Sequence, residues 1–386
     1  MRIARRYLAS EIYRNTALVL IALLGLFSFF ALIDELDRLG DGLSIWNLFY
    51  LELLELPTRL YDLLPIGLLV GAVLGLAGLA QRNELVILRV SGVSGLQLLA
   101  MLWMSTVPLM VGAFVLSEHL TPMAELRHNE ARLELLGRAG GGRLSSGYWF
   151  KENTPNDGTR IINIHTVQTG GQVQQVTVLE LNKQRQLERR LRAPLGKFHA
   201  DGLTLQDVVV MTIQPHAEAA LANAQAPAEP LVTRNVLPEV DIATSLTSHR
   251  LTARIVTPER MAIPDLWDYI QYLDANQLQN DRQMVALWRK FAYPFSLLVM
   301  ITIAAPISFL QTRRGGVGSK VFVGILLGVG FFMANQMALN IGTLSKWPPW
   351  LTALGPNCIA LALALIALIT IERQFRRRPS TIGALT

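Results

Sequence analysis

Residues 15–33 read NTALVLIALLGLFSFFALI, a run without a charged side chain. In an α-helix, which rises about 1.5 Å per residue, this run is long enough to cross a hydrocarbon core of roughly 30 Å. Asp34, Glu35 and Asp37 follow it in place of a small-residue cleavage site, so we expect a retained helix and not a signal peptide. Similar apolar runs occupy residues 63–80, 98–117, 291–310, 321–339 and 351–371. The sequence therefore predicts an α-helical membrane protein with six transmembrane helices, three before and three after a long polar segment.

The composition supports this fold class. The chain of 386 residues is 51% hydrophobic and 17% charged, whereas an average soluble domain carries about 25% charged residues. Its net charge is +6, but the basic residues lie at the ends of the apolar runs and form no single patch, so we expect no nucleic-acid partner. The one cysteine, Cys358, excludes an intrachain disulfide and a cysteine-based metal site.

The distribution of Lys and Arg over the short connections predicts the orientation in the membrane. One side of the predicted helices carries Arg2, Arg5, Arg6, Arg82, Arg89, Arg313, Arg314, Lys320, Arg373, Arg376, Arg377 and Arg378. The short loops on the opposite side carry Arg38, Arg59 and Lys346. We therefore expect both termini in the cytoplasm. The polar segment between the third and fourth helices would then lie in the periplasm of a Gram-negative cell.

The polar segment changes from helical to strand-like patterning. Short β-like runs occupy residues 148–151, 160–167, 175–181, 196–199, 203–213 and 231–236, separated by turn sequences such as Asp201-Gly202. Several strands without an intervening helix predict an all-β sandwich or jelly roll. The expected domains are residues 1–137 with a cytoplasmic helix near 81–91, the β domain at 138–260, and residues 261–386. The last domain would begin with a connecting helix that starts at Pro264.

Nothing in the sequence predicts an enzyme. It contains no G-x-x-x-x-G-K-[ST] phosphate loop, no H-E-x-x-H helix and no G-x-S-x-G elbow, and residues 315–320 have the wrong order for a phosphate loop. The scattered histidines predict no metal site. Ionisable groups lie only at the edges of the predicted helices, as Asp62, Glu118 and Glu372 do, which argues against ion-coupled transport. Any ATP and Mg would be bound by a separate ATPase subunit and not by this chain.

The connection between the second and third predicted helices is the most informative segment. Residues 80–94 read AQRNELVILRVSGVS, which predicts a short amphipathic helix. Arg82 and Glu84 would lie on its polar side, and Leu85 and Leu88 would be available to bury in the groove of a partner. An ordinary interfacial loop helix is the alternative interpretation.

The same segment resembles a known family. LAQRNELV at residues 79–86, followed by Ser91-Gly92, is similar to the coupling-helix signature of the LptF/LptG family, the permease subunits of the bacterial lipopolysaccharide export transporter, and its form is closer to LptG. Weaker similarities extend along the chain, at residues 33–36, Pro57, Pro65, 269–273, Trp288, Lys290, Pro294 and Ser296. The resemblance implies ATP-driven extraction of lipopolysaccharide from the inner membrane. It also implies an LptF-like permease partner, an LptB-like ATPase dimer, and LptC-like and LptA-like periplasmic jelly-roll proteins.

The resemblance also implies roles for individual residues. It assigns the family's coupling glutamate to Glu84. It places basic residues near lipid A phosphates at the outer end of a cavity, and the matching region offers Arg38 and Arg59. Here Asp37 precedes Arg38, which departs from a doubly basic pattern. Ordinary snorkelling to the membrane interface is the alternative for both arginines.

Small and amide residues in two predicted helices suggest a gate or a packing surface. Gly67, Gly71 and Gly75 are four residues apart in the second helix, and Asn335 and Gln336 lie in the fifth. The preferred function is a non-catalytic permease subunit that contacts lipopolysaccharide and membrane lipid. The alternatives are an LptF-type partner subunit, and a membrane-anchored periplasmic scaffold or lipid-binding module that transports nothing.

Overall fold

The structure is a computed structural model, and it describes residues 2–36, 44–136, 147–154, 158–167, 172–199, 202–213, 232–244, 257–309 and 317–376. Within these residues, six helices are long and apolar enough to cross a membrane, which confirms the predicted pattern. The helices before the polar segment are α1 (Arg2–Leu36), α2 (Ile45–Gln81), α3 (Glu84–Val90), α4 (Gly95–Val115), a π-helical turn (Leu116–Leu120) and α5 (Thr121–Leu136). The helices after it are a 3-10 turn (Pro258–Arg260), α6 (Ile263–Ala275), α7 (Asp281–Phe309), α8 (Val317–Leu344) and α9 (Pro349–Arg376).

Contacts divide the chain into two compact units. The first comprises Met1–His128, Pro258–Trp267 and Asn280–Thr386, and the second comprises Asn129–Thr257 and Asp268–Gln279. The predicted domain boundary at residue 138 lies outside the described residues. The connecting helix predicted to start at Pro264 is observed as α6, which begins at Ile263.

The first unit is built around α2 and α7. Both helices are mostly buried, whereas α1 and α8 are mostly exposed. Leu68, Leu76, Leu102, Leu297 and Ile301 are fully buried in one apolar cluster contributed by α2, α4 and α7. The outer helices therefore present apolar surface away from this core, as expected of helices that contact lipid or another subunit.

The second unit contains six described strands in a single antiparallel sheet, ordered β1 to β6 along the chain. The strands are β1 (Tyr148–Asn153), β2 (Thr159–Val167), β3 (Gln172–Leu181), β4 (Leu187–His199), β5 (Gly202–Ile213) and β6 (Val232–Ala243). Phe150 pairs with Ile162, and Ile162 pairs with Val178; all three are buried in one apolar cluster. The prediction of an inserted β domain is confirmed. The predicted loop at residues 214–230 lies outside the described residues.

The two edges of this sheet meet. Arg160 on β2 donates from Nη1 to the carbonyl of Ala243, at the end of β6, over 2.6 Å. Thr244 donates from its hydroxyl to Glu152 on β1 over 2.7 Å. Because β6 is the last strand of the sheet and β1 the first, the sheet must bend to bring them together. The bend encloses the apolar face and accounts for its nearly complete burial.

Candidate functional site

The amphipathic helix predicted between the second and third transmembrane helices is observed as α3 (Glu84–Val90). Arg82 and Asn83 separate it from α2, and Asn83 has φ of 60°. Gly92, with φ of 91°, lies two residues after its end. The amide of Val93 donates to the carbonyl of Leu88 over 3.2 Å, the bond that closes a Schellman motif around a left-handed residue. Both ends of α3 are therefore fixed by tight turns.

The two leucines of α3 do not face outward. Leu85 is 4% exposed and belongs to the core of the first unit, and Leu88 packs against that core. Leu85 is therefore not available to a partner groove, because the apolar side of α3 that carries it packs on the chain's own core. Leu88 is half-buried, and its contact with a partner stays a prediction. Among the α3 side chains that the structure describes, Ile87 and Val90 are exposed large apolar residues, at 63% and 83%.

Arg82 and Glu84 lie at the start of α3 with partly exposed side chains. Arg82 Nη1 is 3.8 Å from Glu84 Oε1, and Arg82 Nη2 is 3.4 Å from Glu11 Oε1 on α1. The Tyr7 side chain on α1 lies close to that of Glu84. The structure thus brings the two predicted polar residues together, and it adds two neighbours on α1, Tyr7 and Glu11, that the sequence analysis missed.

The two arginines proposed for lipid A phosphates are not equivalent. Arg38 lies outside the described residues. Arg59 forms an ion pair with Glu52 and another with Glu55, at 2.8 Å. Two carboxylates on its own helix therefore already compensate the charge of Arg59. Phosphate binding by Arg59 stays a prediction, and a phosphate would have to displace carboxylates that lie one and two helical turns away.

The three glycines of α2 face α1. A Cβ on Gly71 would lie 2.5 Å from Cα of Thr16, and one on Gly75 would lie 3.4 Å from Nδ2 of Asn15. Gly67 faces the side chain of Leu20 in the same way. These residues form a glycine seam (Gly67, Gly71 and Gly75) along which α1 approaches the backbone of α2. The glycine seam is a packing contact between α1 and α2, and a gating role for these three glycines stays a prediction.

A cavity that is partly open to the surface lies between α2, α7, α8 and α9. Asn335 lines it, whereas Gln336, the next residue of α8, is exposed. The Oδ1 atoms of Asn335 and Asn357 are buried and have no hydrogen-bond partner within the described part of the chain. Asp62 and Arg289 also line the cavity. The structure therefore brings Asn335 to a mostly apolar cavity that contains several polar groups, and it does not bring Gln336 there.

A buried ion pair lies at the opposite end of α4 from α3. Lys290 Nζ on α7 donates to Glu118 Oε1 over 2.9 Å and to the hydroxyl of Ser117 over 3.0 Å. The other oxygen of Glu118 accepts from the backbone amide of Ile263, at the start of α6, over 2.7 Å. Glu118 lies in the π-helical turn, a rare irregularity that often marks functional positions. Three separate segments of the first unit therefore converge on one carboxylate.

A second ion pair lies in the same unit. Arg260 donates to Glu125 over 2.9 Å, and its Nη2 lies 4.0 Å from Asp62. Burial alone would lower the pKa of the Arg260 guanidinium, but Glu125, Asp62 and Glu55 together raise it above its ordinary value. Arg260 is therefore a permanent cation that links the short turn before α6 to α5 and α2.

Across the ranges that the structure describes, no group of three His, Cys, Asp or Glu residues is placed to hold a metal ion. The residues gathered around α3, the glycine seam and the two ion pairs hold helices of the first unit against one another. Comparison with known proteins agrees. The family profile described as "Lipopolysaccharide export system permease LptF/LptG" matches residues 6–370. The chain belongs to the LptF/LptG family.

Individual relatives agree with this membership. The lipopolysaccharide export system permease protein LptG of Escherichia coli K12 is 25% identical over 363 residues, which cover 93% of this chain and 96% of that protein. The LptG protein of Haemophilus influenzae is also 25% identical over 363 residues, with the same coverage. A chain of this family with six membrane-crossing helices is a multi-pass inner membrane protein and a lipopolysaccharide export permease.

Several polar residues of this LptF/LptG chain were not found from the sequence as site residues. Glu11 and Tyr7 lie in the first helix, where only hydropathy was considered. Arg289 and Asn357 both line the cavity, although they lie on different helices and far apart in the sequence. Spacing along one helix reveals neighbours three or four residues apart. That spacing pairs Glu11 with Arg14, but it shows neither the contact of Glu11 with Arg82 nor the place of Arg289 and Asn357 in one cavity.

Proposed function

We propose that the chain is the LptG-type permease subunit of an ATP-driven transporter that extracts lipopolysaccharide from the inner membrane. The observation that carries the proposal is the family match over residues 6–370, together with relatives that bear the name LptG. We propose an LptF-like second permease, an LptB-like ATPase dimer, and LptC-like and LptA-like acceptors in the periplasm. ATP and Mg would be bound by the ATPase alone. Both termini would lie in the cytoplasm and the β domain in the periplasm.

The ATPase would dock on the exposed side of α3. Glu84, Ile87 and Val90 follow one another at intervals of three residues, so they lie along one side of the helix. Ile87 and Val90 are exposed, and the Glu84 side chain is 30% exposed. An anionic group beside apolar side chains suits a groove that has an apolar floor and a basic or hydrogen-bonding edge. The docking surface proposed here is thus Glu84, Ile87 and Val90, with Leu85 and Leu88 holding α3 on the chain's own core.

The substrate would enter a cavity that this chain forms with its second permease. Lipid A has several acyl chains and two phosphates, so its site needs a wide apolar wall with a few cations at the level of the headgroup. The exposed apolar sides of α1 and α8 offer such a wall. Arg38 is the arginine that we propose for the phosphates, since Arg59 is already paired with Glu52 and Glu55.

Co-purification of the ATPase tests this function. We expect the solubilised permease pair to retain the ATPase, and Glu84→Ala to reduce both its retention and the lipopolysaccharide-stimulated ATPase rate. Loss of a charged group paired inside an interface costs about 2–5 kcal/mol of binding free energy. Glu188→Ala, the same substitution at an exposed position of β4, is the control. Unchanged ATPase retention and transport in Glu84→Ala would refute the coupling role.

A further inference from the structure

Glu11 of α1 is a buried carboxylate that lies beside the proposed docking helix. The residue is 8% exposed. Its Oε1 accepts from Arg14 Nη2 over 2.9 Å and lies 3.4 Å from Arg82 Nη2. A buried carboxylate is stable only when donors or cations surround it. The position of Glu11 therefore depends on where these guanidinium groups are held.

The two arginines reach Glu11 from different helices. Arg14 lies one turn further along α1, so its ion pair is local and its side chain is 69% exposed. Arg82 follows the last residue of α2, and only Asn83 separates it from α3. The Arg82 ion pair therefore connects the start of α3 to α1, a separation of 71 residues in sequence. The Arg14 ion pair connects nothing beyond α1.

Packing around this ion pair holds the same elements together. Leu8 and Ile12 of α1 are fully buried in the cluster that also contains Leu85 of α3. A Cβ on Gly75 of α2 would lie 3.5 Å from the carbonyl oxygen of Glu11, so the two backbones run close together here. Further along, α1 is mostly exposed. The contacts at this end are therefore a large share of what connects α1 to the rest of the described chain.

We propose that Glu11 and Arg82 form a positioning pair that couples α3 to α1, so that a displacement of α3 moves the first transmembrane helix with it. The proposal rests on the proposed function, in which the ATPase docks on α3. Arg82 then acts inside this chain and not on the ATPase. The exposed remainder of α1 forms part of the cavity wall, so its movement changes the space that is open to the acyl chains of lipopolysaccharide.

The test uses the complete transporter in lipid vesicles, with lipopolysaccharide and a soluble periplasmic acceptor. Three quantities are measured: retention of the ATPase, the rate of ATP hydrolysis, and lipopolysaccharide delivered per ATP hydrolysed. We expect Arg82→Gln to retain the ATPase and hydrolyse ATP, while delivery per ATP falls about fivefold or more, the lower range of typical coupling between sites. Arg14→Gln removes the other guanidinium from the same carboxylate. It should stay within about twofold of the wild type, as expected for an exposed pair on one helix.

A double-mutant cycle separates the two possible roles of Arg82. Glu11→Gln keeps the size of the side chain and removes its charge. If Glu11 and Arg82 act through their contact with each other, the double variant Glu11→Gln/Arg82→Gln delivers no less lipopolysaccharide per ATP than either single variant. If Arg82 contacts the ATPase instead, the two losses multiply and ATPase retention falls in Arg82→Gln alone. That result would overturn the proposal, and so would unchanged delivery in Arg82→Gln. Failure of the wild-type chain to retain an ATPase would instead refute the proposed function.

Discussion

Replacing Lys290 by methionine should destabilise the first unit strongly. Lys290 Nζ is held by Glu118 at 2.9 Å and by the hydroxyl of Ser117 at 3.0 Å, and the Lys290 and Glu118 side chains are 3% and 9% exposed. Methionine fills nearly the same space as the lysine stem but carries no charge. The substitution therefore leaves Glu118 as a buried carboxylate that keeps only the amide of Ile263 among the donors described above.

The magnitude follows from the burial of both partners. Removing one member of a buried ion pair typically costs about 3–5 kcal/mol of unfolding free energy, because the remaining charge is left uncompensated. Every 1.4 kcal/mol or so is a factor of about ten, so the ratio of folded to unfolded protein should fall by roughly two to four powers of ten. Lys290→Met/Glu118→Gln removes both charges, and we expect it to be more stable than Lys290→Met alone.

The same helix offers a matched control. Arg282 of α7 pairs with Glu259 at 3.2 Å, but its side chain is 61% exposed. Arg282→Met should therefore cost at most about 1 kcal/mol. The assay is equilibrium unfolding of the detergent-solubilised chain with a denaturing detergent, followed by the fluorescence of its 7 tryptophans. A loss in Lys290→Met no larger than in Arg282→Met would refute the reasoning, as would a double variant less stable than Lys290→Met.

Two further predictions concern packing. Gly71→Leu should lower the unfolding free energy by about 1–3 kcal/mol or more, because a Cβ there would already lie 2.5 Å from the backbone of α1. Gly78→Leu is the control, since a Cβ on Gly78 would have its nearest contact at 3.9 Å. It should lower the unfolding free energy less in the same assay. A soluble fragment of residues 143–256 should give a circular dichroism spectrum dominated by β structure, and a fragment of residues 143–279 should unfold at a higher temperature, because Tyr272 donates to the carbonyl of Lys151 on β1 over 3.0 Å. Equal midpoints would contradict that stabilising contact.

The apolar runs and the turn sequences were sufficient to predict the six helices and the inserted sheet, because both signals are local. The sequence pattern predicted only residues 196–199 of β4 and missed its first part, for a physical reason. Arg189, Arg190 and Arg192 made residues 187–195 look too charged for a strand, yet Leu191 and Ala193 between and after them are buried while these arginines are exposed. An antiparallel strand with one solvated face accepts charge on every second residue. Alternation was the correct criterion, and overall hydropathy was not.

The candidate site was less predictable, because its contacts depend on which surface of the molecule covers each residue. The amphipathic pattern of α3 was read correctly, but periodicity alone does not distinguish a partner's groove from the chain's own core, and Leu85 belongs to the latter. Arg59 is a different case. Glu55 lies four residues before it, a spacing that brings side chains together on a helix, so its pairing was available from the sequence.

The ion pairs of the first unit lie at both ends of its helices, and this placement has a mechanical consequence. Apolar contacts between helices in lipid specify their axial alignment weakly, since lipid tails are as apolar as leucine. Glu11 with Arg82, at one end of α2, and Glu118 with Lys290, at the start of the apolar part of α7, are contacts that a shift along the helix axis would break. The arginine of the first pair is 53% exposed, whereas the side chains of the second are 3% and 9% exposed, so the α1 contact is the weaker of the two. If helices shift during the transport cycle, we therefore expect the Glu11–Arg82 contact to break first, while α7 and the π-helical turn stay together.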